Sequence, residues 1–205
     1  MRRPSPRLAE GLLTHIERSS VDAISAAKQW EGYVRTFVDA GWRVTEVEPA
    51  PECPDSVFVE DTVVVYGDLA VIARSGAVER RPETQGTEKA AAELGYRIAH
   101  IEAPGVLDGG DVLKHAGTVY VGRSGRTNAD GIRQLTEYLA PFGATVIAVP
   151  LTKALHLKSA VTALPDGTII GYEPVVETTR RSSRCFSRYR RSRAPTLSCS
   201  ATESC

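Results

Sequence analysis

The chain has 205 residues, a formal net charge of 0 and 42% hydrophobic residues, enough for one sizeable domain or two small ones. The balanced charge gives no indication of a nucleic-acid partner, and no apolar run is long enough to cross a bilayer. Because residues 1–4 are not followed by the apolar segment of a signal peptide, we expect a cytoplasmic protein.

Hydrophobic periodicity and turn residues predict an alternation of helices and strands along the chain. Ser20 is the predicted N-cap of the first helix, and Gly41 follows its last turn. The predicted helices span residues 19–40, 83–94 and 128–139, and the predicted strands span residues 42–47, 62–66, 69–73, 97–101, 112–114, 118–121, 144–149, 160–164 and 168–172.

A polar segment recurs before a strand three times, at residues 60–61, 108–111 and 156–159. The spacing is about fifty residues, which is typical of propellers and arrays. One unit of that length cannot bury its own apolar face, so several units must close around a common axis. We therefore expect Glu60, Asp108 and His156 to meet at that axis.

The first polar segment places three carboxylates, of Asp55, Glu60 and Asp61, among apolar strand-forming residues. Buried carboxylates need a cationic or hydrogen-bonding partner, and the planar fork of a guanidinium ligand matches paired carboxylates. The alternative for these acids is a solvated loop before the strand. The corresponding alternative for His156 is a hydrogen-bonded core histidine.

The cysteines are unevenly distributed, and they indicate neither a disulfide framework nor a zinc site. Cys53 stands alone in the body of the chain, whereas Cys185, Cys199 and Cys205 lie in the last stretch. No secretory signal accompanies them, and they lack both a C-x-x-C spacing and a nearby histidine. We expect no metal.

Four motifs, at residues 55–61, 107–111, 122–128 and 155–159, together resemble those of the dimethylarginine dimethylaminohydrolase family. This family belongs to the guanidine-modifying, or pentein, superfamily. The resemblance implies an α/β fold, the five-bladed α/β-propeller, of which residues 1–176 would form about three and a half repeats.

The same resemblance implies a hydrolase that converts dimethylarginine and water to citrulline and dimethylamine by covalent Cys/His catalysis. The implied partner is a small guanidinium substrate, with no cofactor, no nucleic acid and no membrane. The resemblance is also compatible with a homodimer of the full-length family member. An arginine deiminase or amidinotransferase relative, or a catalytically inactive guanidinium-binding module, is the alternative.

Family roles carry over to matching positions of this sequence. The resemblance implies that Asp55, Glu60 and Asp61 hold the guanidinium and amino ends of the substrate. It implies that Arg80 and Arg126 hold the substrate carboxylate and help to order the site. Without the resemblance, both arginines would be interpreted as solvated surface residues.

Three further residues receive roles in the same way. Leu12 matches a residue of a loop that covers the substrate, His156 matches the general acid/base, and Asp108 matches the carboxylate that orients this histidine. A histidine beside a carboxylate has its charged form favoured, which suits a proton donor.

The resemblance ends at about Val176. Residues 177–205 are rich in Arg, Ser and Cys and have no hydrophobic period. A GC-rich gene read out of frame gives such a composition. When the segment from Thr178 is written in chosen GC-rich synonymous codons and read one nucleotide earlier, it yields a peptide that resembles the next repeat of the family. We therefore expect a partial hydrolase domain over residues 1–176 and an out-of-frame, disordered tail over residues 177–205. The family's nucleophilic cysteine lies beyond the match, so we expect this chain to be inactive.

Overall fold

A computed structural model of the chain describes residues 1–13 and 17–172 together with the short strand Ser187–Arg188. Helices and strands alternate along the described residues. The helices are α1 (Ala23–Asp39), α2 (Thr84–Glu93) and α3 (Ala129–Leu139), and the strands are β1 (Val63–Tyr66), β2 (Leu69–Ile72), β3 (Arg97–His100), β4 (Val112–His115), β5 (Thr118–Arg123), β6 (Thr145–Pro150), β7 (Val161–Ala163), β8 (Ile169–Gly171) and β9 (Ser187–Arg188). None of these helices has the length and the apolar composition that a bilayer-spanning segment needs.

The strands form three three-stranded sheets, β1-β2-β3, β4-β5-β6 and β7-β8-β9. In each sheet the first two strands are antiparallel and the third runs parallel to the second. Parallel neighbours need a crossover connection, which α2 supplies in the first sheet and α3 in the second. The predicted repeat is therefore confirmed as a ββαβ unit.

Helix α3 shows how one unit closes its core. The Asn128 side chain caps the helix by accepting a hydrogen bond from the Gly131 N–H. Ile132, Leu135 and Leu139, spaced by three and four residues, join a buried cluster that includes residues of β5 and the preceding sheet. Each such leucine stabilises the fold by about 1.5–3 kcal/mol through burial alone.

Helix α1 begins later than predicted. Asp22, and not Ser20, is its N-cap, because the Asp22 carboxylate accepts hydrogen bonds from the N–H groups of Ile24 and Ser25. The helix therefore starts at Ala23.

The predicted strand at residues 42–47 is wrong, since the structure has no strand there. The segment runs beside the first residue instead: the Met1 amino group donates to the Thr45 carbonyl, and the Val47 N–H donates to the Met1 carbonyl. A ladder needs several residues on both sides, and here a single residue provides the partner.

Residues 177–205, for which we predict a disordered tail, lie outside the described residues with one exception. The backbone of Ser187–Arg188 pairs in parallel with Ile170–Gly171 of β8. Cys185, Cys199 and Cys205 also lie outside the described residues. The prediction for this segment stays a prediction.

Candidate active site

Each sheet is preceded by a short 3-10 helix that carries all or most of one recurring polar segment, with Asp108 and His156 as the N-caps of the second and third helices. These helices are Val59–Thr62, Gly109–Asp111 and Leu157–Ser159, and consecutive ones contact each other. The Asp61 carboxylate accepts a hydrogen bond from the Gly110 N–H at 3.0 Å. The Asp111 carboxylate accepts one from the Leu157 N–H, also at 3.0 Å. An aspartate of one polar segment thus binds the backbone of the next.

Two glycines allow this close approach. A Cβ on Gly109 would lie 2.0 Å from the Glu60 carbonyl oxygen. A Cβ on Gly110 would lie 2.6 Å from the Asp61 carboxylate and 2.7 Å from the imidazole ring of His156. Both distances are well below van der Waals contact, so only glycine fits at either position.

The imidazole of His156 is buried between two carboxylates. Its Nε2 atom lies 3.6 Å from Asp61 Oδ1, and its Nδ1 atom lies 3.7 Å from Asp111 Oδ2. Burial disfavours the imidazolium, but the Asp111 and Asp61 carboxylates outweigh this effect and raise the pKa of His156, with a smaller contribution from Asp108. The protonated ring is therefore more favoured than in an unperturbed histidine, which suits a proton donor.

Asp108 is fully buried and has other direct contacts. Its Oδ1 atom accepts a hydrogen bond from the Gly76 N–H at 3.1 Å, and its Oδ2 atom lies 3.7 Å from Arg126 Nη1. Burial raises the pKa of Asp108. The carboxylates that contact His156 in the described residues are those of Asp61 and Asp111, so Asp108 acts on the histidine only from a greater distance.

Arg80 is the centre of a buried ionic network. It donates to Asp61 Oδ2 at 2.7 Å, to the Glu83 carboxylate at 2.8 Å and to the Asp55 carbonyl at 3.2 Å. Burial disfavours the guanidinium charge, but Glu83 and Asp61 more than offset this and raise the pKa of Arg80. Burial also raises the pKa of Glu83. Most donors of Arg80 are therefore engaged by the protein itself.

The two remaining acids, Asp55 and Glu60, have partners of different kinds. The Asp55 carboxylate accepts a hydrogen bond from the Leu12 N–H at 3.0 Å, which fixes the N-terminal segment beside it. The Glu60 carboxylate is exposed and pairs with Lys158 Nζ at 2.5 Å.

One cavity of about 950 Å³ collects the predicted site. Seven of the predicted residues line it, namely Leu12, Asp55, Glu60, Asp61, Arg80, Arg126 and His156, whereas Asp108 does not. Cys53, the only cysteine of the described residues, is buried and does not line it either. Burial raises the pKa of the Cys53 thiol, which disfavours its thiolate form.

Sequence reasoning missed three residues of the site. Asp111 accepts hydrogen bonds from the Ser124 and Thr127 hydroxyls, each at 2.7 Å, as well as from the Leu157 N–H. Its place in the second polar segment, matching that of Asp61 in the first, was the available signal. The other two are Glu83, which pairs with Arg80 three residues before it, and Lys158, whose partner Glu60 is 98 positions away and not apparent from local sequence.

No family model matches the chain. Among curated proteins, the N(G),N(G)-dimethylarginine dimethylaminohydrolase of Streptomyces coelicolor is 58% identical over 177 residues, which are 86% of this chain and 69% of that protein. This chain belongs to the dimethylarginine dimethylaminohydrolase family. The enzyme of the same name from Pseudomonas aeruginosa is 35% identical over 171 residues, covering 82% of this chain and 66% of that protein. The chain thus spans about two thirds of the length of these relatives.

A solved dimethylarginine dimethylaminohydrolase structure confirms the fold. The Pseudomonas aeruginosa protein, as a Cys-to-Ser variant in complex with citrulline, superposes with a TM-score of 0.82 at 32% identity. The match covers 91% of this chain and 73% of that chain. The chain therefore has the pentein α/β fold predicted from its motifs, in partial form relative to this structure.

Proposed function

We propose that residues 1–172 form the guanidinium-binding and acid/base part of a methylarginine hydrolase, which converts dimethylarginine and water to citrulline and dimethylamine. The observation that carries this proposal is a single cavity lined by the Asp55, Glu60 and Asp61 acids together with Arg126 and His156. The name of the Streptomyces relative and the citrulline in the Pseudomonas structure support it.

Recognition follows from the charges around the cavity. The three acids suit the cationic guanidinium and amino groups of the substrate, because both need carboxylate partners away from bulk water. Arg126 suits the substrate carboxylate. Arg80 has most of its donors engaged by Asp61 and Glu83, which favours a role in ordering the acids.

The chemistry requires a thiolate in addition to these residues. The thiolate would add to the guanidinium carbon, and the His156 imidazolium would protonate the departing dimethylamine. The neutral His156 would then take a proton from a water molecule while the water oxygen adds to the same carbon. The thiolate would leave in the last step to give citrulline. The raised pKa of His156 suits the first proton transfer.

We further propose that the chain as given binds the substrate without turning it over. Cys53 lies outside the cavity, and the other three cysteines belong to the segment interpreted as out of frame. Without a nucleophile, His156 can supply only general acid/base assistance, typically about 10²–10⁴-fold.

The test is an assay of citrulline release from dimethylarginine, using the present chain and a frame-restored version. Only the frame-restored chain should release citrulline, and His156→Asn in that chain should abolish release. Turnover by the present chain near the restored rate would contradict the assignment of the nucleophile. A restored chain that binds dimethylarginine but releases no citrulline would contradict the hydrolase proposal.

A guanidinium-binding module without catalysis is the second candidate. The buried position of Cys53, away from the cavity in the described residues, favours it. Saturable binding of dimethylarginine to both chains, with turnover by neither, would establish this alternative.

A further inference from the structure

Lys158 forms an ion pair in the wall of the cavity that none of the preceding roles explains. It lies on the 3-10 helix Leu157–Ser159, and its Nζ atom donates to Glu60 Oε1 at 2.5 Å. The Lys158 side chain is 24% exposed and that of Glu60 is 70% exposed, and both line the cavity. The pair joins the first and third polar segments across 98 positions of sequence.

Glu60 differs from the other two acids in the kind of partner it has. Asp61 is bound by the Gly110 N–H and by the buried Arg80, and Asp55 is bound by the Leu12 N–H. Backbone groups and a buried guanidinium cannot leave these acids without disturbing the fold. A lysine amine on a flexible four-carbon stem can move away, so the partner of Glu60 is exchangeable.

The neighbouring lysine cannot take the place of Lys158. Lys114 donates its Nζ proton to the Val65 carbonyl at 2.7 Å. Burial lowers the pKa of Lys114, and the charge of Lys158 lowers it further, whereas Glu60 acts in the opposite direction. Lys114 is thus held by the backbone, and only Lys158 pairs with Glu60 among the described residues.

We propose that Lys158 is a specificity-determining residue that occupies Glu60 whenever the cavity holds no cation and releases it to a cationic ligand. This inference rests on the proposed function, because the ligand in question is the guanidinium amino acid. A cationic ligand has to displace the ammonium group, whereas a neutral urea leaves the ion pair intact. Lys158 therefore lowers the preference of the cavity for cations over neutral ligands.

The reaction itself would change the occupancy of Glu60. Hydrolysis converts a cationic guanidinium into a neutral urea, which removes the charge that keeps Lys158 away. The lysine then pairs with Glu60 again, so product release does not leave the carboxylate without a partner. Lys158 acts here through charge, so arginine at this position preserves the function and a neutral residue does not.

The test compares the binding of dimethylarginine and citrulline by calorimetry at low ionic strength. Lys158→Gln should raise the affinity for dimethylarginine roughly two- to fivefold, the range expected for a partly exposed ion pair, and leave that for citrulline unchanged. Lys158→Arg should retain the wild-type ratio of affinities. Lys153→Gln, an exposed lysine outside the cavity lining, is the matched control and should change neither affinity.

A double-mutant cycle isolates the pair from other effects of the substitution. In a Glu60→Gln background, Lys158→Gln should no longer change the ratio of affinities. Lys158→Met, which keeps the length of the stem, repeats the test if the glutamine variant unfolds at a lower temperature. Equal changes for both ligands, or a change that persists without Glu60, would overturn the role of Lys158 alone. A wild-type chain that binds neither ligand would overturn the proposed function as well.

Discussion

The three polar segments around His156 and helix α1 differ in how far the other described residues bury them. Asp108, Asp111 and Leu157 are fully buried, and hydrogen bonds link successive loops. In α1, a helix of 17 residues, Trp30 is the only buried residue. The residues that link the polar segments are therefore buried by the described residues themselves, whereas most of α1 is not.

Helices α1 and α3 also differ in how far their apolar residues are buried. Both carry apolar residues on one face, but α3 buries Leu135 completely, whereas Ile24 of α1 is 69% exposed. Tyr33 and Phe37 of α1 pack edge to face against each other at 5.0 Å between ring centroids. Tyr33 itself remains exposed. Periodicity identifies the face that a helix can bury, but it does not show whether the described chain covers that face.

The largest expected effect is on the link between the second and third loops. Asp111→Ala removes the acceptor for the Leu157 N–H and for the Ser124 and Thr127 hydroxyls. Breaking such a buried charged network should lower the free energy of unfolding by about 3–5 kcal/mol in urea denaturation. Asp39→Ala, at the exposed end of α1, should change it by less than about 0.5 kcal/mol. A similar decrease in the free energy of unfolding for both variants would show that the hydrogen bonds of Asp111 do not stabilise the fold more than an exposed residue does.

The next effect separates the two helices. Leu135→Ala should lower the free energy of unfolding by about 2–5 kcal/mol, because it leaves a cavity in the core. Ile24→Ala should have an effect within about 0.5 kcal/mol, since this side chain is mostly exposed. A loss for Ile24→Ala that matches the loss for Leu135→Ala would mean that α1 is covered in solution.

A smaller effect concerns the contact between loops at the site. Gly110→Ala forces a methyl group against Asp61 and His156, which should cost about 1–3 kcal/mol of stability and weaken the binding of dimethylarginine. Gly125→Ala is the matched control, because a Cβ there meets no atom within 4 Å. Unchanged binding in the Gly110 variant would show that the glycine is not needed for the geometry of the site.

The smallest effect is the pH dependence of stability. The pKa of His156 is raised in the folded protein, so protonation of this residue stabilises the fold. This contribution to the free energy of unfolding is fully present below the pKa of histidine in the unfolded chain, about 6.5. It is lost as pH rises through the folded value. His156→Asn should remove this part of the pH dependence in urea denaturation at a series of pH values, and His115→Asn should retain it. A wild-type slope in the His156 variant would contradict the electrostatic role of its neighbouring carboxylates.

Most of the helices and strands could be predicted because their sequences are periodic, whereas the propeller fold was implied by the resemblance of the motifs. Residues 128–139, for example, were predicted as a helix and form α3 with Asn128 as its cap. Residues 42–47 alternate in the same way as the true strands, but in the described part of the chain Thr45 and Val47 find a backbone partner in Met1 and not in a second strand. Alternation of apolar and polar residues shows that a segment can form a strand. Whether the strand forms depends on a second strand that pairs with it, and that strand lies elsewhere in the chain.

The site was predictable to the extent that its residues lie in recognisable motifs. Seven of the eight predicted site residues line one cavity, but Asp108 does not. The direct neighbours of His156 include Asp111 and not Asp108. Leu157, which donates to Asp111, and Glu60, which pairs with Lys158, lie 46 and 98 positions away from them in sequence. Such contacts depend on how the polar segments of different repeats pack against each other, and a local sequence pattern does not predict this packing.

The most direct test of the account is nuclear magnetic resonance of the labelled chain during titration with dimethylarginine. The account predicts saturable shifts at the His156 ring and at the Gly110 and Leu12 amides, which line the cavity. It predicts no shift at the exposed Trp42 indole, which follows α1 and lies outside the cavity lining. Shifts of similar size at Trp42 and His156, or no saturable shift at His156, would contradict the existence of a guanidinium site among these loops.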